Sequence, residues 1–254
     1  MEASLFRIAV CRRLRQKVVA SDNWCPMCGE VLDTFGDHAL VCGCKGDRTR
    51  RHNRLRDVLH DEAVKVGLAT EREKGNLLPP RPQDEGLVGE GARRPADVWW
   101  PGGAGGRGVA WDIAVTSAMK HEHLIRGPHH VGEVVAGYEH LKVAYHDTGQ
   151  RCAAQGFDFQ PLVFEGHSGG WSQAVADVVA MLGRRRVEGW GGEKAEVCEL
   201  VVAQRLSVTL QRENARAIMR RVGLGEGEEL GGGQEGGGWS EQAAEGWDEV
   251  VAET

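Results

Sequence analysis

No stretch of this 254-residue chain approaches the roughly 18 consecutive apolar residues that a membrane-spanning helix needs. Met1–Lys17 holds scattered arginines and no uninterrupted apolar run, so no secretory signal is expected. A disulfide framework is not expected either. The cysteines number seven, four of them fall within twenty residues, and that pattern points to metal in a reducing compartment. The glycine-rich stretch 102–106 is followed by no Gly-Lys-Ser/Thr and opens no helix, which excludes a phosphate loop. No internal repeat and no Ser-His-Asp spacing can be read. Basic residues are missing altogether from positions 222–254, which hold nine acids. So Gly- and Glu-rich a segment cannot bury enough apolar surface to offset its ordering entropy, and it is expected to be a disordered tail.

That tail distorts the formal net charge of −6. Without it, 31 basic residues face 28 acidic ones, a balance of +3. The positive charge also clusters. Lys45, Arg48, Arg50, Arg51, Arg54 and Arg56 fall within twelve positions, opposed by Asp47 alone. Such a run suits contact with phosphates, the other reading being a solvated helix face.

The length suffices for one core of roughly 150 residues with appendages. Residues 1–21 read as a basic N-terminal helix and 22–46 as a knuckle. Residues 47–67 read as an amphipathic helix, with Leu55, Leu59, Ala63 and Val66 at helical spacing and Gly67 ending it. Leu68–Lys74 is a strand candidate and the Pro- and Gly-rich residues 75–92 are a loop. Two strands, Asp97–Trp100 and Gly108–Val115, flank a Pro-Gly turn. A helix over Val134–Arg151, with Val134, Tyr138, Leu141 and Tyr145 on one face, precedes a strand over Phe157–Glu165. Ser172 caps a helix to about Arg185, and Glu193–Arg221 reads as another. Helices between strands give a mixed α/β sheet. The expected division is 47–188 for the sheet domain, 189–221 for a C-terminal helix and 222–254 for the tail. Trp99, Trp100 and Trp111 are expected in the core. His121, His123, His129 and His130 lie in an irregular segment and are discounted as a second metal site.

Two constellations carry chemistry. Cys25, Cys28, His38 and Cys42 follow C-x2-C-x9-H-x3-C, in which two thiolates on one tight turn and a His and Cys one helical turn apart can close a tetrahedral shell around zinc. Four protein ligands leave no open position, so the zinc is structural. Cys44 is able to replace Cys42. A segment this short has no core of its own and should fold on the metal.

The second constellation is an acidic pair. If the two central strands pair symmetrically about the Gly-rich turn, Asp97 and Asp112 lie nearly opposite each other, with Cβ atoms roughly 4.5–5.5 Å apart. Two bare carboxylates would repel there, so a divalent cation between them is expected, and oxygen ligands favour Mg2+ or Mn2+. Such an ion can polarise a phosphodiester and activate water. Asp112 shares its strand face with Ala110 and Ala114, which leave room around it. Lys142 borders the apolar face of its helix, and either snorkels to solvent or points into a site.

Cys25–Cys42, Arg50-Arg51-His52-Asn53-Arg54-Leu55, Arg94-Pro95-Ala96-Asp97 and Trp111-Asp112-Ile113-Ala114-Val115 occur in that order. So do Tyr138–Lys142, Phe159–Glu165 and Gly169-Gly170-Trp171. Over about residues 20–185 this set resembles the C-terminal part of site-specific non-LTR retrotransposon proteins. There a zinc knuckle precedes a restriction-like endonuclease of the PD-(D/E)XK superfamily. The resemblance implies a mixed sheet flanked by helices, with Asp97 and Asp112 as the catalytic, magnesium-binding acids. It makes Lys142 the catalytic lysine, displaced onto the following helix because Ala114 stands two residues after Asp112. Glu71 or Glu73 would offer a further carboxylate. Arg48, Arg50, Arg51, His52 and Arg54 would contact nucleic acid, which is DNA, or RNA as the alternative. An intracellular, nuclear location follows. No Tyr-x-Asp-Asp signature occurs, so the reverse transcriptase region that the resemblance places upstream is absent from this chain. Ala96 between Pro95 and Asp97, with the missing local lysine, motivates an alternative: a catalytically inactive zinc-containing nucleic-acid-binding module on a nuclease fold.

Overall fold

The computed structural model describes residues 1–79, 95–119, 130–190 and 194–223. The expected tail beyond 223, most of the Pro-rich loop, Arg94, and His121, His123 and His129 lie outside the described residues. The chain divides into two compact units, one built from residues 1–50 with the chain from Gln211 onward, the other from Arg51–Leu210.

The larger unit is a mixed four-stranded sheet with helices on both faces. Its strands are β3 (Glu71–Arg72), β4 (Val98–Trp100), β5 (Gly108–Thr116) and β6 (Phe157–Glu165), in the order β3-β4-β5-β6. The first three run antiparallel and β6 runs parallel to β5. A parallel neighbour needs a crossover, and the helices α4 (Val131–Ala144) and α5 (Thr148–Ala154) provide it. Along β5 large and small residues alternate, so its two faces differ. Val109, Trp111 and Ile113 join Leu162 and Phe164 of β6 in the main core, with Leu55 and Leu59 of α3 (Asp47–Lys65), Leu182 of α6 (Gln173–Trp190) and Leu206 of α7 (Ala195–Arg221). Trp111 and Phe164 are almost fully buried, and each such side chain stabilises the fold by roughly 1.5–3 kcal/mol. The opposite face carries Ala110 and Ala114. Ala114 and Val163 meet Val135 and Tyr138 of α4, and Ala110 packs with Cys152 and Phe157.

The expected strand over 68–74 is reduced to Glu71–Arg72. The expected helix over Val134–Arg151 is two helices. His146 and Asp147 adopt the left-handed conformation (φ 52 and 55°) and break it between Ala144 and Thr148. Ser172 precedes α6, but its hydroxyl accepts the Val163 N–H rather than an N–H of the helix.

The smaller unit begins with α1 (Ala3–Arg13), which stops short of the expected end at residue 21, Arg15 turning left-handed (φ 57°). A two-stranded hairpin follows, β1 (Asn23–Trp24) with β2 (Val31–Leu32), and then the short helix α2 (Asp37–Val41). Its core comprises Leu5, Ile8, Val18, Leu32, Leu40 and Ile218, together with Cys25 and Cys42. Gly36 (φ 71°) is obligatory, because a Cβ there would fall 2.7 Å from Ile218.

Candidate functional site

In the smaller unit the sulfurs of Cys25, Cys28 and Cys42 and a ring nitrogen of His38 all lie within 4.8 Å of one another. Local chain geometry makes this cluster. Cys25 and Cys28 sit on the β1–β2 turn, where the Cys25 N–H donates to Glu30 O (2.7 Å) and Gly29 (φ 78°) completes the reversal. Asp33 accepts the N–H groups of Phe35, Asp37 and His38 and so positions α2. One turn of that helix then brings His38 and Cys42 to the same side, with the Cys42 N–H on His38 O (2.9 Å). His38 Nε2 is 3.1 Å and Cys42 Sγ 3.7 Å from Cys28 Sγ. Three soft thiolates and an imidazole form a donor set that can hold zinc. Burial raises the Cys42 pKa, but the adjacent Arg221 guanidinium, with a backbone N–H and Cys28 adding to it, outweighs that and brings the thiol down to about 6.

In the larger unit, Val98, Trp99 and Trp100 pair with Trp111, Ala110 and Val109. Carried one residue further, this register sets Asp97 against Asp112. The ladder bends there. The Asp97 N–H donates to Trp111 O (2.9 Å), and its carboxylate Oδ2 accepts the Ile113 N–H (2.6 Å), standing in for a backbone carbonyl. Asp97 Oδ1 lies 3.1 Å from His52 Nε2. Asp112 meets Lys142, whose Nζ is 2.9 Å from Oδ2 and 3.2 Å from Oδ1. Only the Oδ1 contact has hydrogen-bond geometry, and the buried Oδ2 accepts no hydrogen bond among the described residues.

The electrostatics tie these four groups together. Burial, with Asp97 adding to it and Lys142 opposing it, pushes Asp112 up to about 6. His52 is raised by its hydrogen bond to Asp97, against burial, with the Asp97 and Asp112 charges adding to the rise. Burial alone would lower Lys142, but the Asp112 charge raises it. The inward line of α4 is therefore Val135, Tyr138 and Lys142. Of the expected stripe, Val134 is buried and Tyr138 packs inward, but Leu141 and Tyr145 are exposed.

The other expected site residues are placed as follows. Glu71 pairs with Lys74 (2.6 Å) and Glu73 with Arg56, so both acids are occupied by bases of their own. Arg48, Arg50 and Arg54 are exposed. Arg50 contacts Lys45 O and Asp47, each at 3.1 Å. Arg51 is only 6% exposed, because it lies in helical register with Leu55 and Leu59 on the inward face of α3. It is thus no surface arginine, and His52 turns to Asp97 instead of outward.

Three buried carboxylates carry no local sequence signal. Glu165 accepts N–H groups from Ala118, His167 and Ser168 and the Ser168 hydroxyl. Burial would raise its pKa, and these donors more than offset that, holding it low. Glu62 is held by Lys65, Arg186 and Arg205, and Asp47 by Arg220 and Arg221. No helix among the described residues is long and apolar enough to cross a membrane. No protein-family model matches the chain, and no curated protein matches it.

Proposed function

We propose that the larger unit is a metal-dependent DNA endonuclease domain of the PD-(D/E)XK kind, derived from a retrotransposon protein and acting on nuclear DNA. The observation that carries this reading is the convergence of Asp97, Asp112 and Lys142 at the β4–β5 hairpin. A mixed sheet flanked by helices is also what the resemblance implies.

Asp97 and Asp112 would hold Mg2+ or Mn2+. Hard carboxylate oxygens suit these ions, and the buried Asp112 Oδ2 accepts no hydrogen bond among the described residues, with only the Lys142 ion pair beside it. When bound, such an ion supplies Lewis acidity and a water of lowered pKa. Lys142 holds a positive charge beside Asp112, where it can orient a water or meet the charge that builds on a phosphodiester under attack. His52 fixes the Asp97 carboxylate. The smaller unit supplies phosphate affinity around its zinc, through exposed bases such as Arg48.

The test is nicking of supercoiled plasmid by the purified chain with Mg2+ or Mn2+ against EDTA, beside Asp112→Ala and Lys142→Ala. Metal-dependent nicking that disappears in both variants is expected. Nicking that survives Asp112→Ala sinks the assignment.

A second reading rests on the same contacts. Both Asp97 oxygens are engaged by His52 and Ile113, and Asp112 is paired with Lys142. A site closed on itself in this way suits a nucleic-acid-binding module whose nuclease fold no longer cuts. It predicts salt-sensitive DNA binding that is indifferent to Mg2+.

A further inference from the structure

The Arg221 side chain is fully buried in the smaller unit. Its Nη1 donates to Asp47 Oδ2 (2.5 Å) and to Ala217 O (2.7 Å). Its Nε and Nη2 donate to nothing among the described residues. A buried guanidinium with idle N–H groups is destabilising unless an acceptor is supplied. Its neighbour is Cys42, itself only 4% exposed and one of the four clustered donors. Zinc bound by three thiolates and a neutral imidazole carries one surplus negative charge, and its sulfurs accept hydrogen bonds. In the smaller unit, Arg221 is the cation placed against that surplus.

We infer that Arg221 is the outer-sphere partner of the zinc centre: its idle N–H groups donate to the Cys42 thiolate and its charge neutralises the shell. Asp47, shared with Arg220, holds the guanidinium in position. The last turn of α7 is thereby part of a metal centre whose four ligands all lie near the other end of the sequence. Zinc capture by residues 25–42 then depends on residue 221. The inference rests on the zinc reading and is independent of the nuclease reading.

The experiment uses the full chain and two readouts. Zinc affinity is measured by competition with a chromophoric chelator, and the thiolate-to-metal charge-transfer band is recorded after Co2+ substitution. Arg221→Met should weaken zinc binding by about 10- to 100-fold, the range usual for lost outer-sphere partners, and should shift the Co2+ band. Arg221→Lys keeps the charge and should recover part of the affinity. Arg220→Met loses a contact to Asp47 and should stay near wild type. An Arg221→Met chain with wild-type affinity and an unchanged band overturns the inference. So does an Arg220→Met chain that loses as much as Arg221→Met, because the effect would then run through Asp47 and packing. A wild-type chain that takes up neither metal removes the zinc reading itself, and the inference with it.

Discussion

The two units are stabilised by different means. Residues 1–50 with 211–223 carry twelve basic side chains against seven acidic ones, whereas residues 51–210 carry nineteen against twenty-one. The smaller unit packs a core of modest aliphatics around two cysteines of the cluster that could hold zinc. The larger one buries Trp111, Phe164, Ile113 and Leu162 between its sheet and helices. If the cluster takes up zinc, stability in the first is coupled to a metal. Stability in the second comes from apolar burial, and its central hairpin carries one acid, Asp112, that burial opposes. The proposed division of labour, one unit holding a polyanion and the other acting on it, would follow this contrast.

The largest expected effect separates the units by metal. Structural zinc contributes on the order of 10–16 kcal/mol in comparable small sites. Removing it with a chelator, or replacing Cys25 by Ser, should strip amide-exchange protection from residues 1–50 and 211–223 and leave β5 and β6 protected. Simultaneous loss throughout the chain would break the contrast. The converse change is Phe164→Ala, which should cost about 3–5 kcal/mol in chemical denaturation while zinc stoichiometry stays at one.

The third prediction concerns pH. Asp112 is raised from 3.8 to about 6, so between these values the native state holds a proton that the unfolded chain has lost. Stability of the larger unit should therefore fall as pH rises through that window, by about 2 kcal/mol after allowance for partial solvation. His52, also raised, extends the decline above 6.5. Denaturation midpoints across this range should show the slope, and Asp112→Asn should flatten its lower part. A profile that Asp112→Asn leaves unchanged would mean the acid is not strained by burial. The smallest effect is Arg48→Ala, which should weaken DNA binding by less than about 1 kcal/mol and reduce the salt slope by about one counterion. Arg51→Ala should instead lower stability and leave that slope alone.

What could be read from the sequence depended on how local the determining contacts are. The strand Phe157–Glu165 is bounded in the structure as the sequence suggested, with glycines on both sides. The hairpin register was legible because a short Gly-rich turn leaves few ways to pair its arms. The cysteine cluster was legible because its ligands span eighteen positions. The break at His146 was not, since the apolar spacing of Leu141 and Tyr145 imitates a continuous buried stripe although both side chains face solvent. Beyond the local pairs with Lys65 and Arg50, the arginine partners of Glu62 and Asp47 lie more than 120 residues away, and His52 is 45 residues from Asp97. Residue type alone could not assign those pairs.

The Asp97 carboxylate that accepts the Ile113 N–H has a consequence for molecular history. On the proposed nuclease reading, relaxed selection for cutting would not let the residues of this hairpin decay alike. Asp112 burdens the fold when ionised, so drift would erode it early, with Lys142 following once its counter-ion was gone. Asp97 serves as a rung of the sheet and would persist through purifying selection on folding alone. Among sister sequences, an Asp at position 97 therefore reports an intact sheet, while joint retention of Asp112 and Lys142 would be the mark expected under the proposed nuclease reading.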